Sequence, residues 1–461
     1  MLYLASWSLF GKQKINAALA LILVSGLILR VFLASDQYVH QWDERYHAVV
    51  AKNMIEDPFV PKLYADPVLD YNYREWSGNH IWLHKPPLPL WTMATSMWLF
   101  GVNVWALRLP SILFSTLAIL LMYHVGKGMF SRKVGFISAL LLSFNGLIIE
   151  LVSGKVATDH VDVFFFFFIL LTVYLIVKLV QRGNGVYNLL IGITLGCALL
   201  SKWLPALVVL PVYLLFLIHS QRFSTKQIIA GLGTVVGIAI LVAGPWQLYI
   251  HQNWPLEVAY ESQYNLRHLT ESLGKHEYST MYHFHNLRII YGELVYIPCL
   301  WLIYKTFARR RINLNYLALL IWFLVPFLFF TFAATKMQAY TLMAAPAIFL
   351  IVALFWVYLS RMRFRFKYQL IPKLLLIALI VLPGRYGWER LKPLEAKDRS
   401  PIWLEELYAL EIDAMKPTVL FNCDRPMEAM FHLDCTAYSE NPDAHFKNEL
   451  ERKGYEVVTL N

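Results

Sequence analysis

Residues 160–180 read HVDVFFFFFILLTVYLIVKLV, and this stretch decides the class of the fold. It has about the 20 residues that an apolar helix needs to cross the hydrocarbon core of a bilayer. The whole chain of 461 residues has a similar character, because 58% of it is hydrophobic, only 16% is charged and its mean hydropathy is +0.48. This composition excludes a water-soluble domain and predicts an all-α protein that crosses the membrane many times.

Further apolar runs of similar length divide the chain up to residue 388. We predict about eleven membrane spans, which lie at roughly 15–35, 105–126, 133–151, 160–180, 186–202, 204–219, 227–247, 288–305, 313–334, 338–360 and 369–388. The first run lacks the small-residue cleavage site of a signal peptide, so we interpret it as a retained helix.

Basic residues fall on alternate loops, and this pattern predicts the orientation in the membrane. They are Lys12 and Lys14; Lys127, Arg132 and Lys133; Lys178 and Arg182; Arg222 and Lys226; Lys305, Arg309, Arg310 and Arg311; and Arg361, Arg363, Arg365 and Lys367. Because short loops rich in Lys and Arg stay on the inside, the N-terminus is predicted to be cytoplasmic and the C-terminus extracytoplasmic. The same asymmetry accounts for the formal net charge of +10, so nucleic-acid binding is not needed to explain it.

This topology brings four polar segments to the outer face, at 36–104, 154–162, 248–287 and 335–340. The first is the longest, and its sequence predicts an amphipathic helix at 43–56 and an apolar helix at 87–100, both lying in the membrane interface. The predicted anchors at the level of the lipid headgroups are Trp82, Trp91, Trp98 and Trp105. Charged groups at such a boundary are candidates for function.

The chain changes character after residue 388, where it becomes more charged. We predict helices near 401–415 and 441–453 and strands at 418–421 and 455–459. The sequence thus predicts a transmembrane domain of residues 1–388 and a small extracytoplasmic α/β domain of residues 389–461. Cys423 and Cys435 both fall in this tail, where a disulfide is permitted but not required.

An ordered set of motifs runs through residues 36–346. It consists of Asp43-Glu44-Arg45-Tyr46, Lys85-Pro86-Pro87-Leu88, Arg108-Leu109-Pro110-Ser111, Asp159, Ser201-Lys202, Gly244-Pro245-Trp246, Lys336, Tyr340 and Pro346. The set resembles the membrane-embedded glycosyltransferases of the C-type superfold (GT-C), and within them the group of the lipid A aminoarabinose transferase and the protein O-mannosyltransferases. The resemblance implies an inner-membrane enzyme that takes a sugar from a polyprenyl-phosphate carrier at the outer face. It passes the sugar to a lipid, glycan or protein acceptor, with inversion.

Such a transfer needs a base for the incoming hydroxyl and cations for the departing phosphate, because its transition state resembles an oxocarbenium ion. By resemblance, Asp43 is the base or the group that orients the acceptor, with Glu44 beside it. Asp159 is the second acid, which would hold a sugar hydroxyl or orient Lys85. The structural alternatives are that the two aspartates cap the helices that follow them and that Glu44 is an ordinary acid of a first helical turn.

The resemblance also assigns the groups that bind the donor phosphate. Lys85 matches the lysine that contacts the carrier phosphate, Arg267 and Lys336 are further cations for it, and Tyr340 would lie near it. Each has an alternative as an interfacial residue that contacts lipid headgroups. Arg45 would pair with Glu44 or another nearby acid.

One position departs from the aminoarabinose transferases, in which a glutamate commonly precedes the lysine. Here that residue is His84, and it follows His80 by four positions. With His268 and His276 on the other long loop, these imidazoles could bind a divalent metal such as zinc, although no compact ligand motif supports this site and interfacial histidines are common. The substitution also leaves the donor sugar open.

Two other classes of function are alternatives to an enzyme. A transporter or flippase for a polyprenyl-linked glycan would place charges at mid-membrane depth and would have repeat symmetry. The acids and lysines lie instead at the outer ends of the spans, and the sequence has no clear repeat. A non-catalytic assembly partner would leave Asp43 and Lys85 without a role, so the sequence favours the enzyme.

Overall fold

The computed structural model describes residues 1–274, 276–308, 311–362, 370–391, 399–410, 412 and 416–460. Most of the membrane part is helical. Its α-helices are α1 (Leu2–Gly11), α2 (Ile15–Leu33), α3 (Asp43–Asn53), α4 (Pro87–Phe100), α5 (Val104–Met129), α6 (Arg132–Ser143), α7 (Gly146–Val152), α8 (Asp159–Arg182), α9 (Val186–Lys202), α10 (Val209–Ser220), α11 (Thr225–Asn253), α12 (Pro255–Thr270), α13 (Tyr282–Tyr291), α14 (Tyr296–Phe307), α15 (Leu314–Phe332), α16 (Ala345–Arg361) and α17 (Leu370–Leu391). Short 3₁₀ turns lie at Leu204–Val208, Glu293–Val295 and Gln338–Ala344.

Every predicted span falls on helical structure, but the number of membrane crossings differs from the prediction. Seven helices in the described part of the chain are long and apolar enough to cross a bilayer. Two further candidates are bent helix pairs, α6 with α7 at 52° and α13 with the helix that follows it at 115°. The spans predicted at 186–202 and 204–219 correspond to shorter apolar helices. The count of eleven therefore stays a prediction, and residue 369 of the last span lies outside the described residues.

The centre of the bundle is α16. Of the 18-residue apolar window in Gln338–Arg361, 94% is buried, compared with 22% for the windows of α11 and α17. α16 packs against α6, α14, α15 and α17. On the other side of the bundle, α8 packs between α5 and α9, and α9 packs against α11. The even apolarity of α16 follows from this position, since a helix that is surrounded by other helices has no face that meets water and needs no polar stripe.

The long loop between α2 and α5 contains α3 and α4, close to the two helices predicted for it. α3 and α4 pack against each other, and α4 also packs against α5. One of the predicted interface anchors is wrong, because Trp82 is 1% exposed and its ring stacks parallel to Tyr46 with a centroid separation of 6.4 Å. Trp98 and Trp105 are 69% and 42% exposed and remain candidates for contact with lipid.

The tail forms a small α/β unit, with strands β1 (Thr418–Phe421), β2 (Thr436–Ala437) and β3 (Glu456–Thr459) and helices α18 (Ile402–Tyr408), α19 (Pro426–His432) and α20 (Ala444–Arg452). The sheet is parallel with the order β2-β1-β3. Both predicted strands are present, and the predicted helix at 401–415 is described only to residue 410 and at residue 412. All four cysteines carry free thiols, so Cys423 and Cys435 are not bridged.

The tail packs onto the long loop. Buried residues of both segments form one hydrophobic core, with Val50 and Met93 from the loop and Phe421, Met427 and Phe431 from the tail. α19 lies directly against α3. The helix α17 runs through the predicted domain boundary to Leu391, and the division into two domains stays a prediction.

Candidate active site

The four polar segments predicted to share one face meet at one end of the bundle, which we call the loop end. The backbone N–H of Thr335 donates to the carbonyl of His268 at 3.0 Å, and that of Lys336 donates to the carbonyl of His276 at 3.2 Å. Nδ1 of His84 lies 3.0 Å from Oε2 of Glu261, which joins the first long loop to α12. The grouping of the segments inferred from the sequence is therefore present in the fold.

Asp43 and Lys85 form an ion pair at the rim of this end. Nζ of Lys85 lies 3.4 Å from Oδ2 of Asp43, and the two side chains are 17% and 18% exposed. Asp43 is the first residue of α3 and does not cap it, since the N-cap position belongs to Trp42. Pro86 and Pro87 follow the lysine and begin α4, and their rings fix the backbone that presents the ammonium group.

The Asp43 carboxyl group is held in its ionised form. Burial acts to raise the pKa of Asp43, but the charges of Lys85, His47 and His84 outweigh it, and its pKa lies below the ordinary value. The backbone N–H of Thr158 also donates to Oδ2 at 3.1 Å, which stabilises the carboxylate. An anion that binds Lys85 would neutralise the nearest cation, so the pKa of Asp43 would then rise and the carboxylate would become a better base.

Glu44, the next residue, has a different environment. It is fully buried, and its two oxygens accept from Nε and Nη2 of Arg108 at 2.7 and 2.8 Å. Its oxygens also accept from the backbone N–H of His40 at 2.7 Å and lie 3.0 Å from Nε2 of His160. Burial acts to raise the pKa of Glu44, but Arg108 outweighs it and lowers the pKa. These contacts fasten α3 to α5 and α8, and they leave no face of Glu44 open to a ligand.

A second lysine–carboxylate pair lies deeper in the bundle and was not predicted as part of the site. Asp162 is 1% exposed, and Oδ1 forms an ion pair with Nζ of Lys202 at the end of α9. Oδ2 of the same carboxylate accepts from the hydroxyl of Thr158. The Lys202 ammonium lies 5.0 Å from the centre of the Tyr340 ring, so the predicted donor-site tyrosine contacts this pair. The sequence offered two signals for this pair, since Asp162 follows Asp159 by one helical turn and Lys202 belongs to the motif set, but nothing in the sequence linked the two residues.

Asp159 is turned away from the rim. It is fully buried, and Oδ1 lies 2.8 Å from Nδ1 of His47, which is also fully buried. Oδ2 of Asp159 and Nε2 of His47 have no hydrogen-bond partner among the described residues. Asp159 does not contact Lys85 in any described interaction, so of the two acids in this turn, Asp162 is the one beside a lysine.

The remaining predicted cations are not gathered around Lys85. Arg267 is 43% exposed and pairs at 2.7 Å with Glu271, the residue that follows the end of α12. Lys336 is buried, and its Nζ donates to the carbonyls of Thr331 and Ala333 at 2.9 and 2.6 Å, where it caps the end of α15. Arg45 pairs with Glu428 of the tail at 3.4 Å instead of Glu44.

Each of the four candidate metal ligands packs against an aromatic ring, and His84 and His268 share the ring of Tyr264. His84 stacks on Trp76 and His80 stacks on Tyr71, with ring centroids 4.5 and 4.1 Å apart. Burial, with the charges of Lys85, His84 and His276, lowers the pKa of His268 to about 4. In the described part of the chain no group of three or more His, Cys, Asp or Glu side chains is arranged to hold a metal ion. The predicted zinc site is therefore not assembled from these histidines.

An apolar groove lies between α4 and α5 and has a volume of about 450 Å³. Its lining includes Leu88, which follows Lys85 by three positions in the sequence, and Trp91, Leu99, Leu113 and Phe114. A groove of this size and character can accept a hydrocarbon chain.

Part of the sequence is similar to known sugar transferases. A family model described as dolichyl-phosphate-mannose-protein mannosyltransferase matches residues 84–247. The undecaprenyl phosphate-alpha-4-amino-4-deoxy-L-arabinose arabinosyl transferase of Pseudomonas savastanoi pv. phaseolicola is 27% identical over 281 residues, which cover 58% of this chain and 50% of that protein. The chain spans about 30% of the length of two putative mannosyltransferases of Bacillus subtilis and between 50% and 59% of the length of arabinosyl transferases that it matches.

Solved structures extend the likeness over almost the whole chain. ArnT from Cupriavidus metallidurans, determined with undecaprenyl phosphate bound, superposes with a TM-score of 0.65 at 15% identity and covers 95% of this chain and 89% of its own. The oligosaccharyltransferase AglB from Archaeoglobus fulgidus superposes with a TM-score of 0.56 at 14% identity, over 91% of this chain and 64% of its own. The protein is thus a multi-pass membrane protein with the fold of the C-type (GT-C) glycosyltransferases.

Proposed function

We propose that this protein is an integral-membrane glycosyltransferase that transfers a sugar from a polyprenyl-phosphate carrier to a lipid, glycan or protein hydroxyl. The observation that carries the proposal is the Asp43–Lys85 pair, a partly exposed carboxylate and ammonium 3.4 Å apart at the rim of the loop end. A hydroxyl nucleophile needs a base, which the carboxylate can supply, and a phosphate leaving group needs a cation, which the ammonium can supply. The transferred sugar is a hexose or a pentose.

In the proposed reaction, Lys85 binds the phosphate of the donor, and the hydrocarbon chain of the donor lies in the apolar groove between α4 and α5, which Leu88 helps to line. The acceptor oxygen attacks the anomeric carbon from the face opposite the phosphate, which inverts the configuration. The bond between that carbon and the phosphate oxygen breaks, and the electron pair leaves with the phosphate. The acceptor proton passes to Asp43 and from there to solvent.

Two features support the order of events. Asp43 is ionised before the donor arrives, because Lys85 and its neighbours hold its pKa low. The donor phosphate then takes up the charge of Lys85, so Asp43 becomes more basic at the moment when a base is needed. The second pair, Asp162 and Lys202, is joined to Asp43 through Thr158, and Tyr340 lies beside it. We propose that these three residues contact the sugar or the phosphate.

The proposed reaction takes place at the extracytoplasmic face, with the N-terminus in the cytoplasm. Support comes from the alternation of basic loops along the sequence. The acceptor is left as a class, since a lipid, a glycan and a protein hydroxyl all need the same base and the same phosphate clamp.

The experiment is transfer of labelled sugar from a panel of polyprenyl-phosphate donors to membrane extract, with the purified wild type compared with Asp43→Asn. Label in a lipid, glycan or protein fraction with the wild type alone would support the reaction and identify the acceptor. A variant that transfers normally would remove Asp43 from the mechanism.

The flippase alternative makes a different prediction in the same preparation. In proteoliposomes, a flippase moves a labelled polyprenyl-linked glycan across the bilayer without a change in its chemistry. Absence of transfer across the whole panel, together with such movement by an intact protein, would favour the alternative.

A further inference from the structure

Thr158 lies between the two lysine–carboxylate pairs and bonds to one carboxylate of each. Its backbone N–H donates to Oδ2 of Asp43 at 3.1 Å, and its hydroxyl donates to Oδ2 of Asp162. Asp43 faces Lys85, and Asp162 faces Lys202. Thr158 itself is 3% exposed, so it is covered by the groups that it connects.

The backbone at this position is strained. Thr158 has φ of +72° and Asp159 has φ of +26°, both in the left-handed region. This conformation is unfavourable for any residue with a Cβ and most of all for a β-branched one, at a cost of about 1–3 kcal/mol. Glycine would relieve the strain, so a threonine here implies that its hydroxyl has a use.

The carboxylates hold the strained turn in place. Asp43 accepts a hydrogen bond from the backbone N–H of Thr158, and Asp162 accepts one from its hydroxyl. Oδ1 of Asp159 lies 2.8 Å from Nδ1 of His47, which fixes its position. The turn in return fixes Asp43 and Asp162, because each of these two carboxylates has one oxygen that accepts a hydrogen bond from Thr158. Such strain occurs at sites where the surrounding structure overdetermines the geometry.

We propose that Thr158 is a positioning residue that sets the spacing and orientation of the Asp43–Lys85 and Asp162–Lys202 pairs for glycosyl transfer. The inference rests on the proposed function and adds to it a residue that touches no substrate. Loss of the hydroxyl leaves Oδ2 of Asp162 buried without its donor. The carboxylate and its partner Lys202 then shift, and the spacing between the two lysine–carboxylate pairs changes.

The first test compares Thr158→Val with Thr158→Ser in the full-length protein. Valine keeps the shape and the backbone N–H and removes the hydroxyl, whereas serine keeps both donors. We expect Thr158→Val to lower kcat about 10- to 100-fold, the effect of losing one hydrogen bond to a charged group, with KM for the donor changed by less than about threefold. Thr158→Ser should stay within about threefold of the wild type.

The matched control is Thr172→Val, in the same helix α8. Thr172 is fully buried, and its hydroxyl donates to the carbonyl of Phe168 at 2.6 Å, away from any carboxylate. This variant should keep the kcat of the wild type. Equal kcat for Thr158→Val and the wild type, or equal losses for the serine and valine variants, would overturn the inference.

Thr158→Gly is the second variant, for the case in which the Thr158→Val protein does not fold because of the strained turn. Glycine relieves the backbone strain, keeps the N–H and lacks the hydroxyl, so it should give a thermal midpoint no lower than the wild type and the same loss of kcat as valine. A fully active glycine variant would contradict the proposal.

A readout that does not depend on transfer separates this inference from the proposed function. Nζ of Lys202 can be acylated by an amine reagent and the product quantified by mass spectrometry. In Thr158→Val the lysine is held less firmly by Asp162, so its labelling rate should rise at least about threefold, with no change in Thr172→Val. Unchanged labelling would overturn the positioning role, whereas absence of transfer by the wild type with faster labelling in Thr158→Val would overturn only the proposed function.

Discussion

Asp43 and Glu44 are consecutive acids in the first turn of one helix, but they differ in exposure and in the number of groups that bind them. Asp43 is 18% exposed and faces Lys85 across 3.4 Å, at the distance of a loose pair. Glu44 is fully buried and holds Arg108 through two hydrogen bonds of 2.7 and 2.8 Å. The first environment leaves both charges available to a ligand, and the second leaves none.

The contrast separates two uses of an ion pair. A buried, multiply bonded pair such as Glu44–Arg108 fixes the path of the chain, because removal of either partner leaves an uncompensated charge inside the protein. The partly exposed pair of Asp43 and Lys85, whose side chains are 18% and 17% exposed, can exchange one partner for substrate. We expect variants of the buried pair to change stability and variants of the rim pair to change turnover.

The largest effect is expected for Glu44→Ala. It leaves Arg108 buried without its carboxylate, which costs about 3–5 kcal/mol of the free energy of unfolding. The thermal midpoint of the protein in detergent should fall well below that of the wild type. Asp43→Asn, with a nearly unchanged midpoint, is the matched control, and equal midpoints for the two variants would break the comparison.

Lys85→Ala should come next, with its effect on turnover. The variant loses the cation for the carrier phosphate, and we expect transfer to fall about 100- to 1,000-fold while the thermal midpoint stays within a few degrees of the wild type. Lys85→Arg, which keeps the charge, should recover part of the loss. Full activity of the alanine variant would mean that another cation binds the phosphate.

A smaller effect is expected where the tail meets α3. Glu428 is fully buried and pairs with Arg45, so Glu428→Ala should cost about 1–3 kcal/mol of stability. The exposed pair of Glu449 and Lys453 in the same tail offers the control, since Glu449→Ala should leave thermal unfolding unchanged. Equal midpoints for the two variants would show that the tail does not stabilise α3 through this pair.

The smallest effect is expected for Arg267→Ala. Its guanidinium is exposed and pairs with Glu271, which directly follows α12. The thermal midpoint should not change, and the transfer rate should change by less than about threefold. A loss of more than about tenfold would restore Arg267 as a ligand of the donor phosphate and extend the rim site to α12.

The sequence was sufficient for the long apolar helices and for the segments that meet at the loop end. Hydropathy located stretches that fall on helical structure, although the number of membrane crossings stays a prediction, and it did not reveal α1, α12 or α19. The resemblance selected Asp43 and Lys85, which the fold brings together. The strands predicted at 418–421 and 455–459 are present at 418–421 and 456–459. Apolar helices and strands can be predicted in this way because their patterns are properties of short stretches of sequence.

The roles of individual charges could not be predicted in the same way. Nothing local distinguishes Glu44 from Asp43, because the difference is made by Arg108, which lies 64 positions along the chain. Asp162 and Lys202 are 40 positions apart, and Arg45 and Glu428 are 383 apart. One sequence carries no information on which of many distant partners is chosen. Trp82 was misassigned to the interface for the same reason.

The burial of α16 has a consequence for the way the protein is made. The helix against which it packs on one side, α6, is synthesised roughly 200 residues earlier, and elongation at about 5–20 residues per second separates the two by tens of seconds. During that interval the face of α6 that later meets Phe349 is in contact with lipid or with the insertion machinery. Its Ser138 hydroxyl, which lies 3.3 Å from the Phe349 carbonyl, is meanwhile satisfied by the carbonyl of Val134 at 2.8 Å. The Ser138 hydroxyl therefore has an acceptor within its own helix before α16 is made, and we expect a chain that ends before residue 345 to insert its early helices without packing them around a central one.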